Sequence, residues 1–315
     1  MRIARAFAAL LFVLVAIGSL PSSAATPAGC GAHGTRDTML VSTSWLADHL
    51  KDPNLVVFSV GEKSEYDAGH IPGAEWLDYI QTHAMSAASD GQTLTLELAP
   101  IPELAQTLGK LGVSNNSFIV LYQSKDWTTP TARIYMTLDA MGLGARTAIL
   151  DGGFPVWQNE HRAVSTVAPS VTPQTVALCT ADDVIAKLPD VRAALHHSGV
   201  AVVDARAPEY YTGAKQGIGK VPGHIPGAGN VPYTSLFDEQ GKLKSSQALE
   251  ELFHAGGVKP GDRIIAYCHI GQQASAVYFA ARYLGYDVRL YDGSWEEWSA
   301  HKDLPVETSP SAGHP

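Results

Sequence analysis

The sequence predicts an α/β chain made of two similar units, each a parallel sheet flanked by helices. Three observations carry this. The segment Gly69-His70-Ile71-Pro72-Gly73-Ala74 returns as Gly223-His224-Ile225-Pro226-Gly227-Ala228, an offset of 154. Around both copies, short apolar β-branched runs alternate with segments of helical spacing, the pattern of buried parallel strands and their crossover helices. The length, 315 residues, suits two domains of about 100–200 residues each.

The first residues read as an address. Arg2 and Arg5 precede an apolar run from Ala6 to Leu20, Pro21 ends it, and Ser22-Ser23-Ala24-Ala25 offers small residues for cleavage. Residues 1–25 are therefore expected to be a signal peptide, which predicts a periplasmic or secreted protein with no membrane segment once it is removed. Cys30 follows Thr26-Pro27-Ala28-Gly29, which is a poor lipidation site. Of the three cysteines, Cys30 and Cys179 are free to pair or not on sequence grounds. Cys179 suits a small buried apolar position.

The first unit is expected over residues 38–158. In it Leu111-Gly112-Val113 leads into the run Phe118 to Tyr122, and the unit closes on Leu150-Asp151-Gly152-Gly153 and Trp157. Residues 159–178, with Pro169 and Pro173, read as a linker. The second unit is expected over 179–307. Strands are predicted at Val200–Val203, Arg263–Tyr267 and Asp287–Tyr291, with helices over Ser246–Ala255 and Ala274–Leu284. Tyr291-Asp292-Gly293-Ser294 and Trp298 close it, and 308–315 form a flexible tail.

Charge narrows the function. With 31 acidic against 22 basic side chains, net −9, the chain lacks the basic surface that nucleic acids require. No His/Cys/Asp spacing fits a zinc site.

Cys268 is the candidate nucleophile. It follows a predicted strand and opens the loop Cys268-His269-Ile270-Gly271-Gln272-Gln273 before a helix. A tight strand-to-helix loop turns main-chain N–H groups inward, and the helix N-terminus adds positive potential. A fall in pKa from about 8.5 to about 6.5 raises thiolate at pH 7 from roughly 3% to roughly 75%. Gly271 is expected to take a backbone angle that other residues resist. A phosphatase reading fails because Cys-x5-Arg is absent: Ala274 stands six residues after Cys268. A cysteine hydrolase with His269 as base lacks a third, orienting group.

Together the paired GHIPGA segments, Asp204-Ala205-Arg206, the CHIGQQ loop and Asp292-Gly293-Ser294-Trp295-Glu296-Glu297-Trp298 resemble tandem-domain rhodaneses, the sulfurtransferases, over roughly residues 38–307. The bacterial thiosulfate sulfurtransferases, with a Cys-Arg-Ile-Gly-Glu-Arg loop, are the most similar subgroup. The resemblance implies two rhodanese-like domains and a two-step enzyme with neither metal nor organic cofactor. The Cys268 thiolate takes the outer sulfur of thiosulfate as a persulfide and passes it to cyanide or a thiol. It also implies that His269, Ile270, Gly271, Gln272 and Gln273 meet the substrate, with Trp127 and the segment from Gln123 walling the cleft from the other side. Asp204, Arg206 and His224 support the loop, the first two as a buried ion pair. His70, like His224, fixes a loop by hydrogen bonds, His196-His197 is solvated, Trp295 and Trp298 pack, and Arg133 holds the domain together.

The first unit is expected to be silent, because Gln123 stands where Cys268 does and Phe58 and Val60 replace Asp204 and Arg206. The chain departs from the pattern at the anion grip. His269 and Gln273 replace loop arginines, and Tyr210 stands where animal enzymes often carry Arg. A partly charged His269 predicts activity falling as pH rises through its titration. Fewer fixed cations make the monoanion 3-mercaptopyruvate a rival donor. They also leave a non-catalytic sulfur carrier or binding module as the rival of another class, which retention of Cys268 opposes.

Overall fold

The computed structural model describes residues 32–87, 91–126, 128–177, 180–219 and 221–308. The expected signal peptide, Cys30, Trp127, Cys179 and the tail from 309 lie outside the described residues. Strands run in chain order as β1 (Leu40–Val41), β2 (Leu55–Val60), β3 (Glu75–Trp76), β4 (His83–Ala87), β5 (Thr93–Leu98), β6 (Phe118–Gln123), β7 (Thr147–Leu150), β8 (Ile185–Ala186), β9 (Val200–Asp204), β10 (Gly229–Asn230), β11 (Arg263–Tyr267) and β12 (Val288–Tyr291).

Two five-stranded parallel sheets form, ordered β1-β7-β6-β2-β3 and β10-β9-β11-β12-β8. Read from opposite ends, these are the same topology, as duplication requires. The central strands carry Val56 to Phe58, Ile119 to Leu121, Val202, Val203, Ile264 and Ile265, the apolar runs of strands covered on both faces.

The repeated hexapeptide has a local cause. Ala74 N–H reaches Ile71 O at 3.0 Å and Ala228 N–H reaches Ile225 O at 3.0 Å. Pro sits second and Gly third at φ +83 and +74, which is a type II turn. The buried tyrosine of each unit's central strand accepts the Ile N–H, Tyr122 from Ile71 and Tyr267 from Ile225. His70 and His224 each stack on a tyrosine, Tyr66 and Tyr211, at 3.9 Å and hydrogen-bond its carbonyl.

Helices Thr128–Ala140 and Gln272–Leu284 follow the central strands and pack on each other between the units, buried along nearly all their length. Burial on every side explains why neither is amphipathic. Tyr135 meets Phe279 edge-on at 4.8 Å. At their far ends Asp139, wholly buried, accepts Tyr278 Oη at 2.6 Å and lies 3.7 Å from Arg282 Nε. His33 bridges Asp139 at 2.8 Å and Asp183 at 3.0 Å, so one imidazole ties the amino-terminal segment to the first unit and to the chain entering the second.

Three details differ from the sequence expectation. The helix after Cys268 begins at Gln272, two residues before Ala274, because Gly271 turns the chain just ahead of it. The last strand starts at Val288, leaving Asp287 to pair with Arg263 at its edge. The antiparallel hairpin β4–β5 was not expected, although Thr93-Leu94-Thr95-Leu96-Glu97-Leu98 alternates as a strand does. Among the described residues no helix is long and apolar enough to cross a membrane.

His33 gives a pH-dependent contribution to stability. Its hydrogen bond to Asp139 raises its pKa above the ordinary value, with Asp183 adding to the shift and burial opposing it. A raised folded-state pKa means full stabilisation below pH about 6.5, lost as pH rises through the folded value. Replacing His33 by Ala is expected to cost about 1–2 kcal/mol in urea unfolding at pH 5.5, and clearly less at pH 9. Equal losses at both pH values would contradict the assignment.

Candidate active site

Cys268 leaves the end of β11 and exposes none of its surface. The N–H groups of Ala274, Ile270 and Gln273 hydrogen-bond its sulfur, so the loop closes a ring of main-chain donors about one atom. The loop is held from behind. Cys268 N–H donates to Ser294 Oγ at 3.2 Å, and Ser294 Oγ–H donates to Tyr291 O at 2.8 Å. Trp295 N–H and Glu296 N–H reach Cys268 O and His269 O, both at 3.0 Å. The Asp292-Gly293-Ser294-Trp295 segment thus occupies the carbonyls of the loop and leaves its N–H groups to face the sulfur.

Gly271 sits at φ +84, and a Cβ there would come 2.8 Å from Arg133 Nη1 and 3.0 Å from Asp292 Oδ1. Arg133 comes from the first unit. It is fully buried and donates to Asp292 Oδ1 at 2.5 Å and to Leu96 O at 2.6 Å. Leu98 N–H takes the other Asp292 oxygen at 2.8 Å. Thr95 adds N–H and hydroxyl bonds to Glu296 at 2.7 and 3.0 Å. The hairpin and Arg133 together clamp the first unit onto the Cys268 loop. Arg133 therefore holds the two units together, rather than its own alone.

Asp204 and Arg206 form a buried bidentate pair, with Arg206 Nε 3.0 Å from both carboxylate oxygens and Nη2 2.6 Å from Oδ2. Arg206 also caps Gly223 O at 2.7 Å and lies 4.8 Å over the Trp295 ring. His224, one residue on from Gly223, is drawn into the same support. Trp295 and Trp298 are buried.

His269 meets the Tyr210 ring edge-on at 4.8 Å. Ile270 is half-buried; Gln273 is too, and its Oε1 has no hydrogen-bond partner among the described residues. Gln272 faces the first unit, donating to Thr129 Oγ1 at 3.1 Å and lying 3.4 Å from Tyr79 Oη. Tyr79 and Thr129 were not singled out from the sequence, and Asp292 and Ser294 were read only as part of a motif, with no role of their own. The repeated Asp-Gly pair was the available signal for Asp292.

Gln123, Ser124 and Lys125 of the first-unit loop do not face the sulfur as expected. Ser124 Oγ donates to Glu65 at 2.6 Å, Lys125 pairs with the same carboxylate, and Gln123 is buried against Gly153. These residues turn onto their own unit, where Ser124, Lys125, Glu65 and Phe154 line a cavity of about 420 Å³ that Cys268 does not reach. From the first unit it is Tyr79 and Thr129 that meet the Cys268 loop, through Gln272.

Two electrostatic expectations are corrected. Burial pushes the Cys268 thiol up, the N–H groups of Ala274, Ile270 and Gln273 pull it down, and burial prevails. Burial also lowers the His269 pKa, and the Arg206 charge lowers it further, so the ring is neutral at pH 7 and supplies no positive charge. The expected fall of activity through a His269 titration has no basis in this geometry.

The description "Rhodanese-like domain" matches residues 42–160 and 187–301, one match for each parallel sheet. The sulfur carrier protein TtuD of Thermus thermophilus is 31% identical over 285 residues, covering 85% of this chain and 96% of its own length. The 3-mercaptopyruvate sulfurtransferase of Escherichia coli is 32% identical over 287 residues, covering 86% and 98%. The solved structure of SseA from Escherichia coli, described in its title among 3-mercaptopyruvate sulfotransferases, superposes at a TM-score of 0.68 with 28% identity, over 82% of this chain and 99% of that one. With two family matches spanning most of its length and both sheets in one topology, the chain belongs to the rhodanese family as a tandem of two rhodanese-like domains.

Proposed function

We propose that the chain is a sulfurtransferase that carries a sulfane sulfur as a persulfide on Cys268. The observation that carries this reading is a buried sulfur surrounded by three main-chain N–H donors. The resting sulfur is a thiol, and its proton passes to solvent as the site opens for the donor. The thiolate attacks the outer sulfur of thiosulfate, the S–S bond breaks, and sulfite leaves with the bonding electrons. Cys268 then holds a persulfide anion, whose charge the three N–H groups stabilise at no reorganisation cost. Cyanide attacks the outer sulfur, thiocyanate departs and the thiolate returns; a thiol acceptor takes the sulfur in the same way.

A second donor, 3-mercaptopyruvate, is favoured by two features. The Escherichia coli relative is named for it, and the loop has neutral His269 and Gln273 where a dianion would be gripped. The Thermus thermophilus relative's name supports the carrier reading, in which the persulfide forms but small acceptors do not discharge it. The Arg2–Arg5 start, the apolar run and the small residues before Thr26 support export to the periplasm or medium.

Intact-mass measurement tests the persulfide. The reduced protein, incubated with thiosulfate or with 3-mercaptopyruvate, is expected to gain one sulfur atom, and Cys268→Ser to gain none. Cys30→Ser and Cys179→Ser are expected to keep full transfer. Sulfur gained by Cys268→Ser would mean that another residue is the carrier.

The pH dependence follows from the raised thiol pKa. Alkylation of Cys268 by iodoacetamide is expected to accelerate up to and beyond the ordinary cysteine range near pH 8.5, because the thiolate appears only above it. Turnover is expected to show no fall between pH 6 and 7. A rate already constant from pH 7 upward would reverse the assignment.

A further inference from the structure

The second unit carries one segment that the first lacks. Tyr66 and His70 stack in the first unit four residues apart; their equivalents Tyr211 and His224 stack thirteen apart. Nine additional residues therefore lie between two equivalent anchors, and the described ones among them form a strap against the Cys268 loop. A Cβ at Gly217 would come 2.3 Å from His269 Cε1. The Ile218 backbone hydrogen-bonds the His269 ring, and Trp295 Nε1–H donates to Val221 O at 3.1 Å. The strap thus rests on the residue next to Cys268 and on the helix that supports the loop.

Among the described residues, the other charges around the loop are closed off. Arg206 is consumed by Asp204, Arg133 by Asp292, and His269 is neutral. A sulfane donor of either proposed kind is an anion, and no unpaired cation has yet been described beside the loop. The strap supplies one. Lys215 is pinned by its N–H to Glu209 O at 2.8 Å, and its ammonium lies 4.9 Å from the Tyr210 ring centroid. Tyr210 in turn meets His269 at 4.8 Å. Lys215 is exposed and in no salt bridge among the described residues; the Glu209 carboxylate acts on it only at longer range.

We infer that Lys215, held on Tyr210 at the rim of the Cys268 site, is the residue that recognises the negative charge of the sulfur donor and sets preference for dianionic over monoanionic donors. This deepens the persulfide reading and rests on it. Lys215 touches no reacting sulfur; it captures the anion as it enters and leaves the loop to do the transfer. A long four-carbon stem on an exposed strap lets the ammonium follow the donor inward.

The test compares Lys215→Arg, Lys215→Gln and Lys215→Ala in steady state with thiosulfate and with 3-mercaptopyruvate. The Gln variant keeps a hydrogen-bond donor toward Tyr210 and removes only the charge. For Gln and Ala, KM for thiosulfate is expected to rise about tenfold and KM for 3-mercaptopyruvate about threefold, with kcat unchanged. Arg is expected to restore KM. Wild-type KM for thiosulfate is expected to rise with ionic strength, and that slope to flatten in the Gln variant. Discharge of the persulfide by neutral dithiothreitol is expected to proceed at the wild-type rate in all variants. Unchanged KM in Lys215→Gln, or a loss confined to kcat that Arg does not restore, overturns the inference. Failure of the wild-type protein to gain sulfur overturns the persulfide reading instead.

Discussion

The buried ion pair between Arg133 and Asp292 is the constraint on which the site depends. The guanidinium enters from a helix of the first unit, and the carboxylate from the turn after the last strand of the second. Both are removed from water, so the pair is unlike the exposed ion pairs elsewhere on the chain, whose contribution is about 0–1 kcal/mol. Removing one partner of a buried pair leaves an uncompensated charge and costs about 3–5 kcal/mol. The remaining donors and acceptors are nearly all used: Arg133 binds Leu96 O, Asp292 binds Leu98 N–H, and Asp292 lies against Gly271. The Cys268 loop and the docked hairpin thus converge on this pair.

That contact also gives the first unit a structural part in the site. It holds no sulfur in its own loop, and its loop charges pair with each other at Glu65, Ser124 and Lys125. What it contributes is rigid position: Arg133 beneath the loop, the hairpin across Asp292, Tyr79 and Thr129 against Gln272. The hairpin adds a carboxyl to the junction, where burial and then Asp292 push Glu97 up to about 8. A neutral Glu97 at pH 7 avoids placing another negative charge beside Asp292 and Glu297.

Much of this was legible in the sequence because duplication doubles every signal. The turn in each GHIPGA segment, the buried central strands and the loop opened by Cys268 are local, and local patterns survive in sequence. Asp204 and Arg206 are two residues apart on one strand end, so their pairing is local too. What was not legible depends on contacts across more than a hundred residues. Arg133 finds Asp292, Leu98 finds the same carboxylate, and Thr95 finds Glu296 only once both units are folded. The sign of the Cys268 shift failed for the same reason. The N–H donors come from adjacent residues and were foreseen, whereas burial comes from the whole assembly.

The contest between burial and main-chain donors is itself informative about catalysis. A sulfur that remained fully ionised in a closed site would bear the desolvation cost of its charge throughout the resting state. A thiol avoids that cost, since neutral groups lose far less than ions on leaving water. The N–H groups of Ile270, Gln273 and Ala274 are already oriented, so their stabilisation appears at the moment charge develops. The same three donors then serve a persulfide anion, in which charge is spread over two sulfurs and solvation by water matters less. The site is therefore better matched to the loaded state than to the empty thiolate, which suits a residue whose task is to hold a transferred atom until an acceptor arrives.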